Sequence, residues 1–208
     1  MDTFFNPSSV VVIGASNSPF NLGSTICRAL GEFLPYKGKV YAVNRKAETV
    51  YGCPGYAAVN DIPDPVDLAV IITPAKVVPG FVKQCGEKGI RRIVIESSGF
   101  SEGGEQGTAM QHEIDEISRA YGMRIMGPNC LGVMNTENKF CCFYGIQKED
   151  FDTFLQESGS ISYIIQSGGI VVIVLESFRT DVVKAAKIVS IGNKSDIDEA
   201  DMIEYYDG

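Results

Sequence analysis

The sequence predicts an α/β fold in which a parallel sheet is covered by helices. Three observations predict it. Short β-branched runs alternate with longer stretches of helical periodicity between residues 10 and 126. The short runs are apolar throughout, as in strands buried on both faces, instead of at every second position. The runs end in small or polar turns, with Gly14-Ala15-Ser16 the clearest, and ligands bind at such carboxyl ends of parallel strands.

Val10 to Ile13 is the first expected strand, and it runs directly into Gly14. Leu22 to Phe33 follows as a helix, with Ile26, Ala29, Leu30 and Phe33 on one face. Val40 to Val43 and Leu68 to Ile72 are the next strands, the latter closed by Thr73-Pro74. Val77 to Cys85 is helical, with Gly86 and Gly89 marking its end. After a strand at Ile93 to Ile95, Glu105 to Ala120 is a long helix with Ile114, Ile117 and Ala120 inward. Ile125-Met126 is the fifth short strand.

The rhythm breaks after Leu131. Residues 133 to 160 read as a polar, irregular linker and the entry to a second unit. Ile161 to Ile165 is a strand, Gln166-Ser167-Gly168-Gly169 a second glycine turn, and Ile170 to Phe178 the helix after it. Ala185 to Ser190 is a strand and Asp196 to Tyr206 a helix, with Asp196 as its cap and Glu199 as the reciprocal acid. Two strands and two helices do not complete an α/β domain. Either the second unit packs on the first or it is truncated, and truncation is the expectation.

A length of 208 residues allows one large domain, or one domain plus part of another. A net charge of -8 argues against a nucleic-acid surface, and no apolar stretch reaches the roughly 20 residues of a membrane span. The first residues lack a basic run followed by an apolar core, so no export signal is expected. Six cysteines without zinc-like spacing and a single histidine argue against a disulfide framework and a metal site, and favour reduced thiols in a cytoplasmic protein.

A strand that feeds a helix through a glycine turn is a nucleotide-binding element, because exposed amides and the positive helix end hold phosphate. After Gly14-Ala15-Ser16-Asn17 the next useful glycine is Gly23, so the GxGxxG spacing is absent. The second strand ends in Val43-Asn44-Arg45-Lys46, where an NAD site carries an acid. Two cations there suit NADP, or coenzyme A with its 3′-phosphate and diphosphate; ordinary surface charge is the other reading. Thr73-Pro74-Ala75 and Ser97-Ser98-Gly99-Phe100-Ser101-Glu102 fall at the same sheet edge, as ligand loops or as plain turns. Gly127-Pro128-Asn129-Cys130-Leu131-Gly132 fixes a tight turn. Cys130 has no base near it in sequence, so it reads as a close contact and not as a nucleophile. His112 lies away from the buried face of its helix and is not assigned catalysis.

Taken in order, Ser9 to Ser16, Val43 to Lys46, Ser98 to Glu102, Gly127 to Gly132, Gln166 to Gly169 and Ser190-Ile191-Gly192-Asn193-Lys194 resemble the alpha-type portion of the NDP-forming acyl-CoA synthetases. That superfamily includes the succinyl-CoA synthetase alpha and ADP-forming acetate-CoA ligase alpha chains. The resemblance covers nearly all of the sequence. It implies a Rossmann-like CoA-binding domain over 1–131, then a linker and the N-terminal part of a flavodoxin-like ligase domain over 132–208. It implies that Gly14, Ala15 and Ser16 line the CoA phosphates and that Asn44, Arg45 and Lys46 meet the nucleotide end. Thr73, Pro74, Ala75, Ser98, Gly99 and Phe100 flank the cofactor, with Asn129 and Cys130 near the pantetheine arm. Ser167 and Gly168 resemble the helix-terminal site that receives a phosphohistidine.

In the family, acyl phosphate forms on the enzyme, CoA attacks the acyl carbon, and phosphate passes through a histidine to ADP or GDP. The resemblance therefore implies Mg, an acyl substrate and a beta-type nucleotide-grasp subunit or domain as partner. The family's histidine lies later than this sequence reaches, and Ile164-Ile165 stands where a polar residue precedes the Gln166 turn. The chain is thus expected to bind CoA without completing the ligase cycle. An NADP-dependent oxidoreductase, and a CoA-responsive module or acyltransferase-fusion binding domain, are the alternatives.

Overall fold

The structure is a computed structural model that describes residues 1–18, 20–155, 157–178 and 184–207. Its first sheet contains β1 (Ser9–Ile13), β2 (Lys39–Val43), β3 (Gly55–Tyr56), β4 (Leu68–Ile71), β5 (Arg92–Ile95) and β6 (Arg124–Met126). All pairings are parallel and the order is β3-β2-β1-β4-β5-β6. The chain reverses its direction of sheet growth between β1 and β4, which opens a crevice at their carboxyl ends.

Each sheet face buries one half of the strand residues. Val11, Ile13, Ala69 and Ile71 pack with Val82 and Cys85 of α2 (Val78–Lys88) and Ile114 of α3 (Glu105–Tyr121). Fully burying an aliphatic side chain of this size contributes about 1.5–3 kcal/mol. Gly86 sits inside α2 instead of ending it, because a Cβ there would lie 2.5 Å from the Tyr121 ring. Gly89, at φ 92°, ends the helix. In α3, Ile114 is buried as expected, whereas Ala120 is exposed.

The opposite face is not covered by helices alone. Val10, Val12, Leu68 and Val70 share one apolar core with α1 (Leu22–Arg28), with the π-helical turn Ala29–Phe33 that continues it, and with a second sheet. That sheet joins β7 (Gly132–Asn135), β8 (Phe140–Cys141), β9 (Ile161–Ile165) and β10 (Ala185–Ser190) in the order β8-β7-β10-β9. β7 runs antiparallel to β8 and β10, and β9 runs parallel to β10. The second unit therefore packs on the first.

Part of the segment expected to be irregular is ordered. Val133, Met134, Phe140, Cys141, Cys142 and Phe143 are buried in the shared core, and α4 (Lys148–Phe154) follows. α5 (Gly168–Ser177) begins two residues earlier than expected. The expected cap of the last helix is corrected. α6 (Glu199–Asp207) starts after Asp198, whose carboxylate accepts the Ala200 and Asp201 N–H groups at 2.8 and 3.1 Å. Asp201 returns the contact by accepting the Asp198 N–H at 3.3 Å. Asp196 instead binds Arg124 Nε at 2.9 and 3.0 Å and accepts the Ile125 N–H at 2.7 Å, tying the second unit to β6.

Candidate functional site

β1 delivers Gly14 to the crevice at φ 102°, where its N–H donates to Val43 O at 2.9 Å. A Cβ on Gly14 would lie 2.3 Å from Ile72 O, so only glycine lets the ends of β1 and β4 meet. Asn21 then fastens the turn to α1. Its Oδ1 accepts the Ser16 and Ser24 N–H groups at 3.1 and 2.8 Å, and its Nδ2 donates to Gly14 O at 3.0 Å.

At the end of β2, Asn44 builds a local turn. Its Oδ1 accepts the Lys46 and Glu48 N–H groups, and its Nδ2 donates to Glu48 O at 2.9 Å. The turn leaves Arg45 and Lys46 exposed, and among the described residues neither joins an ion pair. Both line a groove of ≈ 470 Å³ with Gly14, Ser16, Asn21, Asn44, Thr73 and Pro74. Glu48 lines it too, with its carboxylate accepting the Asn17 N–H at 3.3 Å.

A second cavity of ≈ 370 Å³ continues from the first and shares Asn21, Ile72, Thr73 and Pro74 with it. Ser97 connects the strand ends, its Oγ accepting the Thr73 N–H at 3.0 Å. Glu96, Ser98 and Tyr144 line it as well, as do Phe20 and Leu22. Burial pushes the Glu96 carboxyl well above the usual carboxylate range. Beyond Ser98, Glu102 accepts the Gly99 N–H at 2.5 Å. Asn193, from the loop after β10, reaches Glu102 at 2.5 Å and Ser101 Oγ and Gln111 Oε1 at 3.2 Å.

A third cavity, of ≈ 620 Å³, shares Tyr144 with the second. Asn129, Cys130 and Leu131 form one wall, and Gln166, Ser167, Gly168 and Gly169 form the other. Gln166 and Gly192 exchange hydrogen bonds, fixing the second glycine turn. Gly168 lies against Leu131, where a Cβ would come within 3.1 Å of Leu131 Cγ. Ser167 stands at the N-terminal end of α5 with its hydroxyl unused in capping. The Cys130 thiol is buried against Ile95 O at 3.3 Å, and burial pushes its pKa up, so it stays a thiol.

The structure thus brings Gly14, Ser16, Asn44, Arg45, Lys46, Thr73, Pro74, Ser98, Asn129, Cys130, Ser167 and Gly168 onto one connected series of cavities. Ala15 and Phe100 do not join them: both are fully buried and anchor their turns. Ala75 and Gly99 lie beside the path, where a Cβ on Gly99 would approach Ala75 Cβ at 3.3 Å. Asn21, Glu96 and Tyr144 were not singled out from the sequence, and Asn193 was noted only within the motif Ser190-Ile191-Gly192-Asn193-Lys194, without a site role. Glu96 had a signal, a carboxylate directly after the apolar run Ile93-Val94-Ile95 at the carboxyl end of a parallel strand. His112 is exposed on α3, and all six cysteines are free and buried. Among the described residues no cluster of His, Cys, Asp or Glu suits a metal ion, and no helix is long and apolar enough to cross a membrane.

Residues 8–136 match the family described as CoA binding domain, and residues 158–208 match the succinyl-CoA ligase like flavodoxin domain. The chain is 42% identical over 207 residues to the alpha subunit of ADP-forming acetate–CoA ligase II from Pyrococcus furiosus, covering 99% of this chain and 43% of that one. It is 38% identical over 200 residues to an ADP-forming acetate–CoA ligase from Methanocaldococcus jannaschii, covering 96% of this chain and 27% of that one. The solved apo structure of a dinucleotide forming acetyl-coenzyme A synthetase 1 from Ca. Korarchaeum cryptofilum superposes with a TM-score of 0.89 at 34% identity, over 99% of this chain and 43% of that one. The chain therefore spans less than half the length of these relatives.

Proposed function

The chain belongs to the CoA-binding domain family, and from that premise we propose that it is the CoA-holding part of an NDP-forming acyl-CoA synthetase, a ligase that joins a carboxylic acid to CoA. The observation that supports this reading is the continuous path from Arg45 and Lys46, past Thr73 and Ser98, to Asn129 and Ser167. It crosses the switch point of a parallel sheet and ends where the two sheets meet.

The residues present fit the ligand. Arg45 and Lys46, without an ion-pair partner among the described residues, suit the 3′-phosphate end, and the turn at Gly14 and Ser16 borders the same groove for the diphosphate. Thr73, Pro74 and Ser98 border the arm, and Asn129 and Cys130 border its thiol end. When bound, CoA supplies the thiol that takes up the acyl group. Cys130, held as a buried thiol, shapes the wall without competing as a nucleophile. Ser167 and the amides opening α5 face the same cavity and favour a phosphoryl group there. In this reading residues 1–131 form the CoA-binding part, and 132–208 a linker and the start of the flavodoxin-like part. A beta-type nucleotide-grasp subunit or domain is the partner, with ADP or GDP and Mg, in the cytoplasm.

Calorimetric titration tests the reading. CoA is expected to bind saturably and more tightly than NADPH. Tighter binding of NADPH would support the oxidoreductase alternative, and a folded chain that does not take up CoA would refute the assignment.

A further inference from the structure

Cys27 and Cys53 are 26 positions apart in sequence and meet in the fold. Cys27 lies on the buried side of α1. Cys53 closes a tight turn: Val50 and Cys53 pair antiparallel around Tyr51-Gly52, with N–H···O distances of 3.0 and 2.9 Å. The Cys53 Sγ lies 3.6 Å from Cys27 O. Gly31, one helical turn beyond Cys27 on the same face, makes the room: a Cβ there would lie 3.4 Å from Cys53 Sγ and 2.7 Å from Tyr51 O. Cys27 is sealed in the core, but Cys53 has an approach. It forms part of the wall of a cavity of ≈ 520 Å³, with Gly31, Lys39, Gly52 and Asp64, that shares no lining residue with the three cavities above.

The two thiols differ in character. A hydrogen bond from the Cys27 thiol holds the Cys53 sulfur below the usual thiol range, against the effect of burial, and Cys53 is the only one of the six cysteines shifted that way. The same contact, with burial, pushes Cys27 up. An attacking thiol needs thiolate character and an approach path, and a resolving thiol needs only to lie against it. Cys53 meets the first two needs and Cys27 the third. We propose that Cys27 and Cys53 form a redox pair, which hydrogen peroxide converts into a disulfide that fastens segment 44–53 to α1. The Cys53 thiolate attacks one peroxide oxygen and the O–O bond breaks, leaving a sulfenic acid on Cys53 and a hydroxide that takes up the thiol proton as water. The Cys27 sulfur then attacks the Cys53 sulfur, the S–S bond forms, and the sulfenic oxygen leaves with the Cys27 proton as a second water. Two thiols and one peroxide become one disulfide and two waters, and a small dithiol reverses the bond. Segment 44–53 carries Arg45 and Lys46, and Asn21 ties α1 to the Gly14 turn, so the bond staples together two elements that line the ≈ 470 Å³ groove.

Treating the folded full chain with hydrogen peroxide, quenching it, digesting it without reductant and weighing the peptides tests this. The expected result is one peptide pair joined through Cys27 and Cys53, the loss of two of the six free thiols, and their return with dithiothreitol. The oxidised chain is expected to melt roughly 5 °C higher, because the bond closes a loop of about 25 residues in the unfolded state. Cys27→Ala is expected to stop the reaction at the sulfenic acid, trapped on Cys53 by dimedone, whereas Cys53→Ala leaves Cys27 unreacted. Thermal melts verify that both variants fold, and the wild-type peptide map decides the matter if they do not. Six free thiols after peroxide, a disulfide between other cysteines, or a Cys27–Cys53 bond that forms only in urea overturns the pair. None of these outcomes bears on CoA binding, so the two readings fail separately.

Discussion

Asn193 Nδ2 lies 2.5 Å from a Glu102 carboxylate oxygen, joining the loop after β10 to the loop after β5 across 91 positions of sequence. Glu102 also takes the Gly99 N–H, so this pair sets the shape of the Ser98 loop from the other sheet. Asn129 reaches the same Asn193 at 3.4 Å. Asn193→Ala should therefore loosen two ligand loops at once and weaken CoA binding roughly three- to tenfold, measured by calorimetry.

That pair also has a pH signature. Glu102 is partly desolvated, which opposes ionisation, but the Asn193 and Gly99 hydrogen bonds prevail and hold its carboxyl below the usual range. A depressed carboxylate stabilises the fold above its unfolded pKa and loses that contribution as pH falls through the native value. The urea-midpoint difference between wild type and Glu102→Gln should be largest near neutrality and shrink below about pH 4.3.

Glu96 has the opposite sign. Its native pKa is raised by burial, so the folded state holds a proton that the unfolded state releases. Its contribution is full below about pH 4.3 and declines as pH rises toward the native value. Glu96→Leu should be more stable than wild type by about 1–3 kcal/mol at neutral pH, with the gain smaller at pH 4. Denaturant titrations at the two pH values measure it.

Arg45 and Lys46 act through charge. Replacing either with Gln should weaken CoA roughly five- to tenfold and leave dephospho-CoA nearly unaffected, with the difference fading at high salt. Parallel titrations of the two ligands at low and high ionic strength provide the measurement.

Gly14→Ala combines a left-handed backbone with a 2.3 Å clash against Ile72 O. It should destabilise the chain by more than about 2 kcal/mol, seen as a lower midpoint in thermal melts.

Five of the first sheet's six strands were legible because an unbroken apolar run such as Val10 to Ile13 has few other places to go, whereas the two-residue edge strand β3 has no such run and was not. The turns after them were legible as well, because Gly14 and Gly127 meet conformational demands that composition announces. Less was readable where two chemistries compete at neighbouring positions. Asp196 and Asp198 both look like caps, and only tertiary pairing with Arg124 separates them. Ala15 and Phe100 belong to the right loops, but which side chain of a turn points inward depends on packing from elsewhere. β7 was hidden because its partner β10 lies some fifty residues on, and β8, a two-residue edge strand, pairs only with β7.

The interior shared by β1, β4 and the second sheet has a consequence for cooperativity. A cut after Leu131 would bare the face bearing Val10 and Val12, so the halves should melt together in a single transition. A ligand gripped by the first sheet's loops then raises the melting temperature of the whole molecule by mass action, including strands such as β8 that it never contacts.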